Sequence, residues 1–198
     1  MCALLAFAPA SYAACSPNIP HYTSSRFIDN SDGTVTDSAL KLTWMRCELG
    51  ARWDTANMRC QFSPNENPRL KLTWQEALKK ARDFNLPGFP GQATPGFVGQ
   101  RDWRMPNIKE LTSLIDLSCA NGQQNAIDPV FFPDAAADVW SSTPSGFSRL
   151  YEAVKTTPAT YVSGNTAYVV NFNYGKFGDE VIDDPKTLHH VRLVRESN

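Results

Sequence analysis

The sequence predicts an α+β fold with antiparallel sheets, and three observations predict it. At Thr73 and at Asn107 a helix-capping residue is followed three places later by Glu, ahead of apolar residues at helical spacing. Residues 26–37, 166–177 and 190–195 alternate in the manner of strands. No helical pattern lies between the late strands, so their connections are too short for parallel crossovers and antiparallel pairing follows.

In chain order, the run RFIDNSDGTVTD at 26–37 has a strand-like start, a turn around Asp32-Gly33 and a Thr/Val alternation beyond it, which is a hairpin pattern; residues 40–46 extend the second strand. Asp29, Asp32 and Asp37 also suggest a calcium loop. An EF-hand needs ligands at alternate positions and a bidentate Glu at position twelve, and the run lacks that spacing, so the turn reading is preferred. Thr73 and Glu76 form a capping box for a helix whose Trp74, Ala77, Leu78 and Ala81 share one face, with Lys79, Lys80 and Arg82 turned outward and Pro87-Gly88 as its stop. Asn107 and Glu110 open a second helix with Ile108, Leu111, Leu114 and Ile115 on its apolar face. Between them, residues 86–100 hold three Pro and four Gly and read as a long loop. Beyond Cys119, Pro129, Pro133, Pro144 and Pro158 interrupt short apolar runs before the late strands.

At 198 residues the chain fits one domain by a prior of about 150 residues each. Its 11 Phe, 5 Trp and 6 Tyr supply core material that disordered chains lack. A net charge of −1 provides no global field for nucleic acid or an anionic membrane. Residues 1–13 read as a truncated signal peptide: ALLAFAP at 3–9 is a short apolar run, and small residues at Ser11 and Ala13 suit cleavage, but no Lys or Arg precedes Arg26. Residues 14–25 are then an amino-terminal lead and 26–198 the domain. No other stretch approaches the roughly 20 apolar residues of a membrane span.

Export leaves an even cysteine set once Cys2 departs with the signal, and four cysteines allow three pairings. The C-x12-C spacing of Cys47 and Cys60 makes a natural local loop, which leaves Cys15 to join Cys119. Four-thiolate zinc sites come as paired C-x2-4-C knuckles, absent here, so neither metal nor cofactor is expected.

Catalysis is not expected. His21, His189 and His190 are the only near-neutral proton carriers, and adjacent strand residues point to opposite faces. No H-E-x-x-H, G-x-S-x-G, P-loop or dinucleotide fingerprint occurs.

The ordered set RFIDNSDGTVTD at 26–37, TWQEAL at 73–78, DWRMPNIKEL at 102–111, WSST at 140–143, YVVNFNYGKFG at 168–178 and VRLVR at 191–195 resembles the Lcl C-terminal domain family. The resemblance covers nearly the whole mature chain. It implies an exported bacterial protein on a C-type-lectin-like fold, with two helices flanking short antiparallel sheets and a long loop region carrying ligand contacts. It also implies kinship with the end domain of a collagen-like adhesin that engages glycosaminoglycans. This chain differs in having SALKL at 38–42 where Thr-Gly-Leu is usual, and it has no Gly-X-Y segment to carry over trimer formation.

On these grounds the expected function is that of an exported ligand-binding or adhesion module whose partner is a surface glycan or a protein. The alternatives are a structural subunit of a surface filament or envelope assembly, and a retroelement-diversified receptor on the same fold. Two candidate surfaces follow. Tyr168, Asn171, Asn173, Tyr174 and Lys176 supply rings and amides for a polar ligand, although Phe172 alternating with the Asn residues also fits plain solvent-facing positions. Lys79, Lys80 and Arg82 are the best local cluster for a polyanion, although a solvated helix face explains them as well. Trp103 and Trp140 are read as core.

Overall fold

A computed structural model describes residues 15–16, 25–62, 70–88, 95–120, 125–145, 148–149, 161–162 and 165–197. The signal reading of 1–13, His21 and most of the lead at 14–25 lie outside the described residues. The described residues are mostly β with two short helices. Strands β1 (Phe27–Asp29), β2 (Thr34–Asp37) and β3 (Leu42–Met45) form a meander, and β4 (Ala51–Asp54) pairs with β5 (Arg59–Phe62) in a separate hairpin. Helices α1 (Trp74–Asp83) and α2 (Ile108–Thr112) follow, then β6 (Asp138–Pro144), β7 (Ser148–Arg149), β8 (Tyr161–Val162), β9 (Thr166–Asn171), β10 (Lys176–Val181) and β11 (Val194–Glu196). The main sheets run β1-β2-β3-β11 and β10-β9-β6, and all named strands pair antiparallel.

The first hairpin turns where Asp32-Gly33 predicts it. The Asp32 carboxylate takes the Thr34 amide at 2.9 Å and its hydroxyl at 2.6 Å, and Gly33 adopts φ 92° against Trp53, whose Cβ would lie 2.8 Å from an added Cβ. Asp29 meets Arg46 at 2.6 Å and Asp37 meets Arg26 at 2.6 Å, so the three carboxylates are occupied in holding the turn and its strands. Residues 40–46 do not simply continue β2. A further turn at 38–41, capped by Asp37 on the amides of Ala39 and Leu40, reverses the chain into β3.

Both capping boxes are present, with Thr73 and Asn107 as N-caps and Glu76 and Glu110 reaching back. The second helix is shorter than its apolar face suggests: regular turns stop at Thr112, and Leu114 and Ile115 continue in tighter i to i+3 geometry while still packing inward.

Two apolar clusters form the core. One joins Val35, Trp44, Leu111, Ile127, Phe132, Val139, Val170 and Phe172; the other joins Ala77, Ala81, Trp103, Trp140, Val169, Val191 and Leu193. Trp103 and Trp140 are core residues, as expected, and the Trp140 indole donates to Leu72 O at 2.8 Å. The segment 189–194 joins the sheets: Met45 and Leu49 amides donate to Leu193 and Val191 carbonyls on one side, and the Trp140 amide donates to His190 O on the other.

Buried arginines hold loops to this frame. Arg46, 1% exposed, donates to the Phe131 carbonyl at 3.1 Å, to the Val130 carbonyl and to Asp29, while its guanidinium lies 4.1 Å over Trp53. Arg192, also 1% exposed, donates to Met45 O and Arg46 O and pairs with buried Glu48 at 3.0 Å. Part-exposed Arg104 grips Glu110 with two bonds of 2.8 Å, and buried Arg195 meets Asp102 at 2.8 Å.

The two disulfides are Cys15–Cys119, spanning 104 residues, and Cys47–Cys60, spanning 13, as the spacing predicts. Among the described residues no helix is long and apolar enough to cross a membrane.

Candidate functional site

Tyr168, Asn171, Asn173, Tyr174 and Lys176 come together on one hairpin. The sequence reads 166–177 as a single alternating run, but the structure breaks it after Asn171 and turns at 172–175, so that β10 lies back along β9 with Lys176 opposite Asn171 and Asp179 opposite Tyr168. Gly175 makes the turn. Its φ is 60°, and a Cβ there would meet Leu117 Cδ2 at 2.5 Å, which seats the tip against the loop after α2.

The five residues then differ in role. Asn171 belongs to the frame: its amide nitrogen donates to Asp138 at 2.6 Å and its carbonyl oxygen accepts the Tyr174 amide at 3.1 Å, which pins the turn. Asn173 is exposed at the tip. Tyr174 is 69% exposed, with the Lys176 ammonium 5.9 Å from its ring centre. Tyr168 is half-buried and meets the Phe177 ring edge-on at 6.2 Å.

Phe177, 61% exposed, and Leu117, 57% exposed, belong to the same region, and neither was foreseen. The missed signal is the Asn-Tyr-Gly tripeptide at 173–175, a turn sequence that resets the alternation and puts Phe177 on a new strand. The hairpin tip therefore presents two exposed aromatic rings, an exposed leucine, one amide and one ammonium. Such a surface can stack on a ring or an apolar side chain and hydrogen-bond beside it.

Lys79, Lys80 and Arg82 lie on α1, apart from this hairpin. Lys79 reaches Asp83 at 2.5 Å and Arg82 reaches the same carboxylate at 3.1 Å, so much of the local positive charge is answered within the helix. The two cations hold the Asp83 carboxyl below its ordinary value, the Lys79 hydrogen bond contributing most. Lys80 is half-buried.

His189 packs its ring edge-on to Trp140 at 4.6 Å, and burial is the main cause pushing its pKa below the ordinary value. His190 Nδ1 lies 3.1 Å from the Leu70 carbonyl. Among the described residues no group of three or more His, Cys, Asp or Glu is placed to hold a metal ion. A cavity of about 310 Å³ lies between Arg59, Pro129, Pro133 and Asp134 beside the Cys47–Cys60 bridge, and Asp134 there accepts the Cys60 amide at 3.3 Å; none of the sequence-predicted site residues lines it.

The stretches that carry the family resemblance sit on this frame in chain order: the 26–37 hairpin, the caps of α1 and α2, β6, the β9–β10 hairpin and the bridging 191–195 segment. The family model for the Lcl C-terminal domain matches residues 33–195. The chain belongs to the Lcl C-terminal domain family. No curated protein matches it. Membership in the Lcl C-terminal domain family points to an extracellular or surface-associated protein, and the two disulfides are compatible with export.

Proposed function

We propose that this chain is an exported, non-catalytic binding domain on a C-type-lectin-like scaffold, which engages a surface glycan or protein partner through the tip of the β9–β10 hairpin. The observation that carries this reading is the exposure of Tyr174 and Phe177 beside Asn173 and Leu117 on a tip fastened by Asn171 and Gly175. A pinned tip loses little conformational freedom on binding, so its rings contribute affinity efficiently. The non-catalytic part rests on His189 and His190, whose rings are both engaged in packing or bonding the frame. The polyanion surface on α1 is the weaker reading, because Asp83 already answers Lys79 and Arg82.

The test is binding to a glycan array and to immobilised host-surface extract at low salt and at roughly 0.5 M salt, where exposed charge pairs are screened within about 3–5 Å. Tyr174→Ala and a Lys79→Ala, Lys80→Ala, Arg82→Ala triple variant are measured alongside. Salt-resistant binding that Tyr174→Ala weakens at least tenfold is the expected result. Salt-sensitive binding lost only in the triple variant moves the site to α1, and no binding at all favours a structural subunit of a surface assembly.

A further inference from the structure

The cavity beside the Cys47–Cys60 bridge has no part in the hairpin-tip site. About 310 Å³ in volume, it is lined by Arg59 of β5 and by Pro129, Pro133 and Asp134 of the loop ahead of β6. That is the small end of ligand pockets, which run from roughly 300 to 1,000 Å³, so the space suits an occupant about the size of one residue. Its walls are fixed. Asp128 accepts the Val130 amide on its side chain and the Phe132 amide on its carbonyl, and Arg46 ties down the Val130 and Phe131 carbonyls. The disulfide fastens β5 at Cys60, whose amide donates to Asp134 at 3.3 Å.

Two opposite charges line this space without neutralising each other. Among the described residues neither Arg59 nor Asp134 forms an ion pair, with the other or with any further side chain. Asp54, the residue paired with Arg59 across the hairpin, spends its carboxylate on the Ala56 and Asn57 amides and the Asn57 and Gln61 side chains. Asp134 uses Oδ2 on the Cys60 amide, and its Oδ1 has no partner among the described residues. A plain anion seated at Arg59 would face the negative Asp134, and a plain cation at Asp134 would face Arg59. A ligand carrying both charges answers both. The guanidinium grips a carboxylate with two parallel N–H donors, the aspartate accepts from an ammonium, and the proline rings give apolar surface to the rest.

We infer that this cavity is a binding site for a small zwitterion of the α-amino-acid type with an apolar side chain. Arg59 takes its carboxylate, Asp134 its ammonium, and Pro129 and Pro133 its side chain. The site is separate from the hairpin tip, none of whose projecting residues lines it. Arg59 and Asp134 are both exposed, so salt weakens the pairing and the affinity is modest, on the order of 1 mM.

Amide NMR titration of the purified, oxidised chain with L-leucine to about 20 mM tests this, with N-acetyl-L-leucine, L-leucinamide and glucuronate for comparison. The expected result is saturable shifts at residues 58–60 and 130–134, with at least tenfold weaker binding of the two blocked forms, each of which lacks one charge. Arg59→Gln and Asp134→Asn should each weaken leucine at least tenfold. Arg59 is exposed, and Asn tolerates the positive φ of 57° at position 134 and can still accept the Cys60 amide, so both variants keep the fold. Absence of a saturable shift, a blocked form that binds as well as leucine, or an affinity that either variant leaves unmoved overturns the inference. Tighter binding of glucuronate overturns it in favour of a sugar acid. Tyr174→Ala should leave leucine binding unchanged, so the cavity and the hairpin tip stand or fall separately.

Discussion

Glu76 and Glu110 occupy the same position of the same capping motif, and sequence reasoning gives their loss the same effect, about 1 kcal/mol or less. The structure separates them. Glu76 accepts the Thr73 amide at 3.0 Å on an exposed helix start, with no cation bound to it among the described residues. Glu110 accepts the Asn107 amide at 2.7 Å and also takes both prongs of Arg104 at 2.8 Å, half-buried. Glu110→Ala thus loses the cap, about 1 kcal/mol, and a two-pronged charge-assisted pair. That pair is discounted to about 1–2 kcal/mol because it is part-exposed and Arg104 keeps Glu196 at 2.7 Å. The expected losses are about 1 kcal/mol for Glu76→Ala and about 2–3 kcal/mol for Glu110→Ala. At about 2–4 °C per kcal/mol for a chain of this size, Tm falls by roughly 2–4 °C and 4–12 °C respectively. Calorimetry with the disulfides intact measures both. Glu110→Gln should fall between. Burial tends to raise the Glu110 carboxyl, but the Arg104 bonds, the Asn107 amide and the Arg104 charge outweigh it and leave the group below its ordinary value of 4.5. Its contribution is therefore complete above that value and fades as pH falls through the lower folded one, so the gap between wild type and Glu110→Gln should close in acid. Equal Tm shifts for the two alanine variants, or a gap that does not narrow as pH falls below 4.5, refute the reasoning.

Two further outcomes follow from buried groups. His189 is held below its ordinary value of 6.5, burial, Lys71 and His190 outweighing Asp138, so the unfolded chain binds its proton first and stability should decline as pH drops below about 6.5 until the folded value is passed; urea titrations of His189→Phe should show a shallower slope over that window, and an unchanged slope would assign the proton elsewhere. Arg46→Met should cost roughly 3–5 kcal/mol by leaving Asp29 and two carbonyls without their partner, and Arg46→Lys should not recover most of it, because one ammonium cannot reach acceptors spread around a planar fork; chemical denaturation that finds Lys equivalent to Arg would show the site is read as charge alone.

What the sequence made legible was local. Capping boxes, the Asp32-Gly33 turn and the x12 cysteine loop are each encoded within a dozen or so residues, and each is found in place. The β4–β5 hairpin was missed because its turn carries no glycine: Asp54 caps the amides of Ala56 and Asn57, and Met58 takes a positive φ of 51°. The arginine network was missed for a different reason. Arg46 and Phe131 are 85 positions apart, Arg192 and Glu48 are 144 apart, and no periodicity links them.

This split bears on function. The stretches RFID, DWRMPNIKEL and VRLVR that carry the family resemblance supply Arg26 to Asp37, Arg104 to Glu110 and Arg192 to Glu48, all contacts of the frame. Even within YVVNFNYGKFG, Asn171 and Gly175 fix the turn while Asn173, Tyr174, Lys176 and Phe177 project from it. Family membership is thus a statement about scaffold, and a change at Tyr174 or Phe177 leaves that scaffold intact. On the proposed reading, ligand choice rests on four side chains of a tip whose geometry the frame residues set, so a substitution at the tip should alter binding with little effect on Tm, and one at Asn171 should do both.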